Sequence, residues 1–226
     1  MVGRIVPAAL VVSEPGGQRE FRNQRDPQGY HLEPRGGRLW IRRDGEELDT
    51  CSRLKGREYQ KFAAVKNEDD LLNFVKVYGP LTPLGNDLSE NGGDPAESLV
   101  DEARWMNEIL SAFGRSPPYL SNQQLERLAL NSGRAARSLV WDSDSGVAVW
   151  QSNVSYLLAA LWEQLANAVT CGVLLRLCEY CREWFEIGTR GGKRRDARFC
   201  SDDHRIAFKN NARKQARNNH THEQGA

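Results

Sequence analysis

Through the middle of the chain, apolar residues recur at helical spacing. Over 68–78, Leu71, Leu72, Phe74, Val75 and Tyr78 share one side, and Gly79-Pro80 closes the segment with a flexible residue and then one lacking an N–H. Asp94 as N-cap, Pro95 at the first helical position and Glu97 at the third start a second helix, whose stripe is Leu99, Ala103, Met106, Leu110 and Phe113. Ser121 with Gln124 forms a capping box for a shorter one. The longest apolar helix runs over 153–171 through Leu157, Leu158, Leu161, Leu165, Ala168 and Val169, and Gly172 ends it.

Strand patterns sit around these helices. Segments 138–142 and 147–151 face each other across a polar turn at 143–146, and 173–177 and 184–187 flank a tight turn at Glu179-Tyr180. Short extended candidates at 8–12, 30–32 and 38–42 are bounded by Gly-Gly pairs at 16–17 and 36–37. The pattern predicts an α+β fold in four parts: an irregular β-rich lead-in over 1–53, a mainly helical domain over 54–172, a small finger over 173–219 and a disordered tail over 220–226.

Chemistry concentrates near the C-terminus. Cys178, Cys181, Cys200 and His204 form a Cys-x2-Cys-x18-Cys-x3-His series. A Cys-x2-Cys pair turns two thiolates onto one ion, and Cys-x3-His places the second pair one helical turn apart, so four ligands converge on a tetrahedral zinc ion. Ser201 as N-cap, followed by Asp202 and Asp203, opens the helix that carries His204. With all four positions filled by protein, the zinc is expected to be structural. The start of the chain, with one arginine and an apolar stretch broken by Pro7, does not read as an export signal, and no run of about 18 apolar residues occurs. The expected location is the cytoplasm, where thiols meet metal rather than form disulfides. Cys51 and Cys171 stand outside the series, and Cys171, ending an apolar helix, reads as an inert core thiol.

Knuckle, hairpin and a helix carrying the last two ligands resemble a treble-clef zinc finger. The run 178–217 (CEYCREWFEIG, then RRDARFCSDDHR, then a basic helix) resembles the finger of the CGNR-type proteins, bacterial proteins regarded as transcription regulators. His204 stands where that family has its fourth cysteine, Arg205-Ile206-Ala207 replaces Gly-Asn-Arg, and the family's N-terminal signature is missing. The resemblance implies DNA binding, and a sensor domain in which Trp105, Trp141, Trp150 and Trp162 would line a ligand pocket. Their helical and strand spacing reads instead as core.

Charge points the same way. Over 188–219, ten cations (Arg190, Lys193, Arg194, Arg195, Arg198, Arg205, Lys209, Arg213, Lys214 and Arg217) oppose Asp196, Asp202 and Asp203, a net of +7 in a chain whose total is +1. Such asymmetry marks contact with a polyanion. Nine of these cations, all but Arg190, are the expected DNA-binding residues, with RNA and an acidic protein as alternative partners and no membrane. A single short finger reads few bases, so a homodimer would extend its site. The competing reading is a solvated basic helix, against which the near absence of glutamate at i−4 argues.

Catalysis is not expected. The chain has no Gly-rich phosphate loop, no Gly-x-Ser-x-Gly elbow, no His-Glu-x-x-His, and no histidine between Cys181 and Cys200 of the kind an HNH nuclease needs. His31, alone in a Gly/Pro-rich stretch, reads as a surface or turn residue.

Overall fold

The computed structural model describes residues 24–25, 27–44, 49–50, 57–82, 95–114, 119–133, 136–142, 147–153, 156–188 and 193–223. In chain order the elements are β1 (Gln24–Arg25), β2 (Tyr30–Arg35), β3 (Arg38–Arg43), β4 (Asp49–Thr50), α1 (Glu58–Phe62), α2 (Glu68–Tyr78), α3 (Ala96–Phe113), α4 (Asn122–Ser132), β5 (Ala136–Asp142), β6 (Val147–Asn153), α5 (Leu157–Thr170), β7 (Leu174–Leu177), β8 (Trp184–Ile187) and α6 (Asp202–Glu223). Helix and strand are mixed, as the α+β expectation holds. The strands pair antiparallel in four two-stranded sheets: β1 with β4, β2 with β3, β5 with β6 and β7 with β8. Among the described residues no helix is long and apolar enough to cross a membrane.

Local chemistry sets the helix ends. At α2 the Asn67 side chain accepts the Asp70 N–H, three acids face the positive end of the helix dipole, and Gly79, at φ 85°, donates its N–H to the Val75 carbonyl. The Ser121–Gln124 capping box of α4 forms in both directions. Helix α3 takes Pro95 as its cap; Asp94 lies outside the described residues. Helix α5 starts at Leu157 rather than 153, because Asn153 still pairs with Ala136 at the end of β6.

Helix α5 is the axis of the core. Leu157, Leu158, Leu161, Trp162 and Leu165 are buried, and Glu163 and Gln164 are buried among them. A helix enclosed on nearly every side must satisfy its polar groups internally. The Gln164 amide accepts from the Tyr59 N–H and donates to Glu58, while Asn167 donates to Glu163. Glu102 of α3 ties three helices together, accepting from Trp162 Nε1 of α5 at 3.0 Å and from Arg127 of α4 at 2.7 Å. Trp162 and the half-buried Trp105 therefore act as core residues; the side chains of Trp141 and Trp150 lie outside the described set.

Three expectations change. The β2–β3 hairpin, turned by Gly36 and Gly37 at φ 57° and 77°, places Tyr30 and Ile41 in the same core as α2 and α3, so this part of the lead-in is a wall of the main body. Cys171 is exposed: it caps α5 three residues past Ala168, the last buried residue of the helix. Helix α6 continues to Glu223, past the boundary at 219, because each added residue of a nucleated helix gains a backbone hydrogen bond. Segments 8–12 and 16–17, Cys51 and the turn 143–146 lie outside the described residues.

The β7–β8 hairpin has two buried faces. In its register Leu175 lies opposite Glu186 and Leu177 opposite Trp184, while Leu174 pairs with Ile187 and Arg176 with Phe185. The first face joins the main core: Leu175 and Trp184 pack there, Trp184 Nε1 donates to Asn107 Oδ1 of α3 at 3.0 Å, and Arg57 pairs with Glu186 at 3.0 Å. Gly114, capping α3, makes this approach possible, since a Cβ there would stand 2.9 Å from the Trp184 ring. The second face carries Phe185 and Ile187 into a small separate cluster with Cys178, flanked by Cys181, Ala197, Phe199 and Cys200.

Candidate metal centre

The turn between β7 and β8 is pinned at its base, with the Cys178 N–H donating to the Glu183 carbonyl and the Arg182 N–H returning to the Cys178 carbonyl. Arg182 adopts φ 60°, a left-handed conformation unusual for a residue with a Cβ. Across the site, the Ser201 hydroxyl caps α6 by accepting the His204 N–H, which fixes Cys200 and His204 one turn apart. The Glu179 N–H donates to the Arg198 carbonyl, and the Arg198 guanidinium grips the Glu179 carboxylate with two nitrogens. That grip holds the Glu179 carboxyl below its ordinary range.

These constraints bring Cys178, Cys181, Cys200 and His204 together, with their donor atoms all within 4.8 Å of one another. Around a tetrahedral zinc ion, S···S edges are about 3.7 Å and S···N edges about 3.5 Å. The Cys181–Cys200 sulfurs are 3.7 Å apart and the Cys178 sulfur is 3.9 Å from His204 Nδ1. The Cys200–His204 edge, at 2.9 Å, is tighter and would open by about half an ångström on binding. The donor set is therefore a cluster that can hold a metal ion. Tyr180 covers it, its ring 5.0 Å from that of His204.

The electrostatics also call for a cation. Burial pushes the Cys178 thiol up, but N–H groups of Cys181, Cys200 and Tyr180 outweigh it and bring the thiol down to about 6. Burial, then contacts with Cys181 and Cys178, pushes Cys200 up to about 12, and Cys181 is raised as well, chiefly by burial. One thiolate forms readily and discourages the next two. A divalent ion removes that conflict by stabilising all three anions at once.

The basic residues are less uniform than their spacing suggests. Arg198 is committed to Glu179, and its guanidinium lies 5.7 Å from the Phe199 ring centroid. Arg205 pairs with Asp202 at 3.2 Å on the exposed helix. Lys193 is half-buried, its carbonyl accepting the Gly188 N–H at 2.7 Å, and Arg194 and Arg195 are exposed beside it. Lys209, Arg213 and Lys214 are exposed on α6 and have no carboxylate partner among the described residues. Arg217 lies on α6 with its side chain outside the described set, as Arg190 lies outside it altogether.

Sequence reasoning missed Arg182, Trp184 and Asn107 as neighbours of the site. Only Arg182 left a trace in the sequence, as a bulky residue directly after Cys-x2-Cys, where the chain must turn sharply. The chain matches no known family model and no curated protein sequence.

Proposed function

We propose that residues 173–219 form a treble-clef-like finger held by a structural zinc ion, and that the protein binds DNA through the basic loop and α6 as a non-catalytic regulator of transcription. The closed Cys3His set supports the structural role, because it leaves no position for a reactive water. The observation that carries the DNA reading is the middle of α6. From Lys209 to Gln215 every residue is exposed, three are cations and none is acidic. A helical stretch exposed all round, with cations that have no carboxylate partner among the described residues, offers concentrated positive charge to a polyanion.

The likeness of 178–217 to the CGNR-type finger agrees with this reading, with His204 serving as the fourth ligand. The main body is the proposed unit for ligand sensing or dimerisation. Because Arg198 and Arg205 are already paired and Lys193 is half-buried, the contacts to phosphate fall to Arg194, Arg195, Lys209, Arg213, Lys214 and Arg217. Selection of random duplex DNA by the zinc-loaded full chain should yield a common motif. Arg213→Glu with Arg217→Glu should abolish binding while zinc content stays intact, and a salt titration of a milder double variant to Gln should show a log–log slope shallower by about two. Retained affinity in the Glu double variant would sink the DNA reading, and selection of RNA or of an acidic protein instead would replace it.

A further inference from the structure

Between the metal knuckle and the main body lies an open cleft of about 890 Å³, walled by α2, α3 and the turn after α1 on one side and by Leu177, Cys181, Arg182, Glu183 and Trp184 on the other. That volume falls within the range of small-molecule sites, about 300–1,000 Å³. Its lining has two components. Phe74, Tyr78 and Trp184 offer aromatic surface, and Val77, though apolar, is 54% exposed within it. Lys61, Lys66, Arg104 and Arg182 bring cations from both walls, against Asp70 and Glu183.

With Arg104 paired, Lys61, Lys66 and Arg182 stand against Asp70 and Glu183, a surplus of one positive charge. Arg104 is bound to Asp101, and the Asp70 carboxylate accepts the Lys66 backbone N–H. Lys61 donates to the Tyr78 hydroxyl at 2.9 Å, with no carboxylate in hydrogen-bond contact. The side chains of Lys66 and Arg182 have no ion-pair partner among the described residues. Arg182 is the more telling. Its φ of 60° costs about 1 kcal/mol that glycine would avoid, yet the residue there is one whose planar fork suits carboxylate, sulfonate or phosphate groups.

We infer that this cleft binds a small organic anion with a flat apolar body, the acidic group meeting Arg182 and Lys66 and the body lying against Trp184, Tyr78 and Val77. Such a ligand would touch the knuckle and α2 at once, and so hold the two together. The inference supplies a site and a ligand class for the sensing role proposed above and rests on that reading only for its consequence. The following experiment contains no DNA, so its failure leaves the DNA reading intact.

The probe is anilinonaphthalene sulfonate, an aromatic anion whose fluorescence rises in an apolar site, titrated into the zinc-loaded full chain. One molecule should bind per chain, and Arg182→Gly should weaken it about tenfold. Glycine adopts the left-handed turn without strain, so this variant keeps its fold and its zinc. Lys66→Gln, at an exposed position, should weaken binding in the same direction. The uncharged parent phenylnaphthylamine should bind more weakly than the sulfonate and be indifferent to both substitutions. Unchanged sulfonate affinity in both variants, or equal binding of the neutral parent, would overturn the inference.

Discussion

Stripping the metal should unfold one side of the β7–β8 hairpin and leave the other. On the metal side, among the described residues, only Phe185 and Ile187 are large buried apolar side chains, and burying them stabilises by about 1.5–3 kcal/mol each, roughly 3–6 together. A structural zinc ion contributes about 10–16 kcal/mol. A bound zinc ion would thus be the dominant stabilising contribution there, and without it the backbone entropy of ordering the knuckle and the loop to Cys200 would prevail. The other face is independent of the ion, because Leu175 and Trp184 sit in the main core and Glu186 pairs with Arg57. Hydrogen exchange read by mass spectrometry, with and without chelator, resolves the two. Peptides covering the amides of Glu179, Arg182 and Gly188, which bond within the knuckle and loop, should lose at least about a thousandfold in protection, equivalent to roughly 4 kcal/mol. Those from α3 and α5 should hold theirs to within about tenfold. Retention of knuckle protection in protein shown to be metal-free would refute the argument, and so would loss of α5 in the same step.

Two further substitutions test the packing that places the site. Gly114→Ala sets a methyl 2.9 Å from the Trp184 ring; the overpacking cost of about 1–3 kcal/mol exceeds the 0.4–1 kcal/mol gained, roughly, from a stiffer unfolded chain, so urea unfolding should show a net loss, and a more stable variant would contradict the docking described. Glu102→Ala removes the acceptor of both Trp162 Nε1 and Arg127 and should cost about 2–4 kcal/mol in the same assay, discounted from a fully buried pair because Arg127 is 34% exposed; a loss below about 1 kcal/mol would mean that the three helices do not depend on it.

What was legible in the sequence is what local rules control. The Ser121–Gln124 box, the 68–78 helix with its Gly79 exit, and the Cys178/Cys181 and Cys200/His204 pairs each depend on residues close along the chain, and the structure brings the two ligand pairs together as the chemistry of their side chains requires. Helix α1 went unread because five residues are too few to show a period. It is held instead by contacts far along the chain, such as the Tyr59 N–H to Gln164. The exposure of Cys171 was missed because an apolar run does not reveal where a buried face ends. The pairing of Arg198 with Glu179 spans 19 residues, and charge counting treats both as free.

The two-faced hairpin explains why its two strands could be read from the sequence while the residues that dock it could not. Val173-Leu174-Leu175-Arg176-Leu177 reads as an apolar run broken only by Arg176, and its pattern does not say that Leu175 is buried while Leu174 is exposed. Which leucine faces which core is fixed by the register with β8, and that register is in turn fixed by the turn of the knuckle. A slip of one residue would put the exposed Leu174 where Leu175 packs and exchange Trp184 for Phe185, taking each aromatic ring away from its own core. The turn that seats the metal ligands therefore also seats Trp184 against Gly114 and Asn107. Metal binding, the orientation of the basic helix and the shape of the cleft all depend on that one turn, so a ligand gripping Arg182 acts on the element that positions Cys181 next to it.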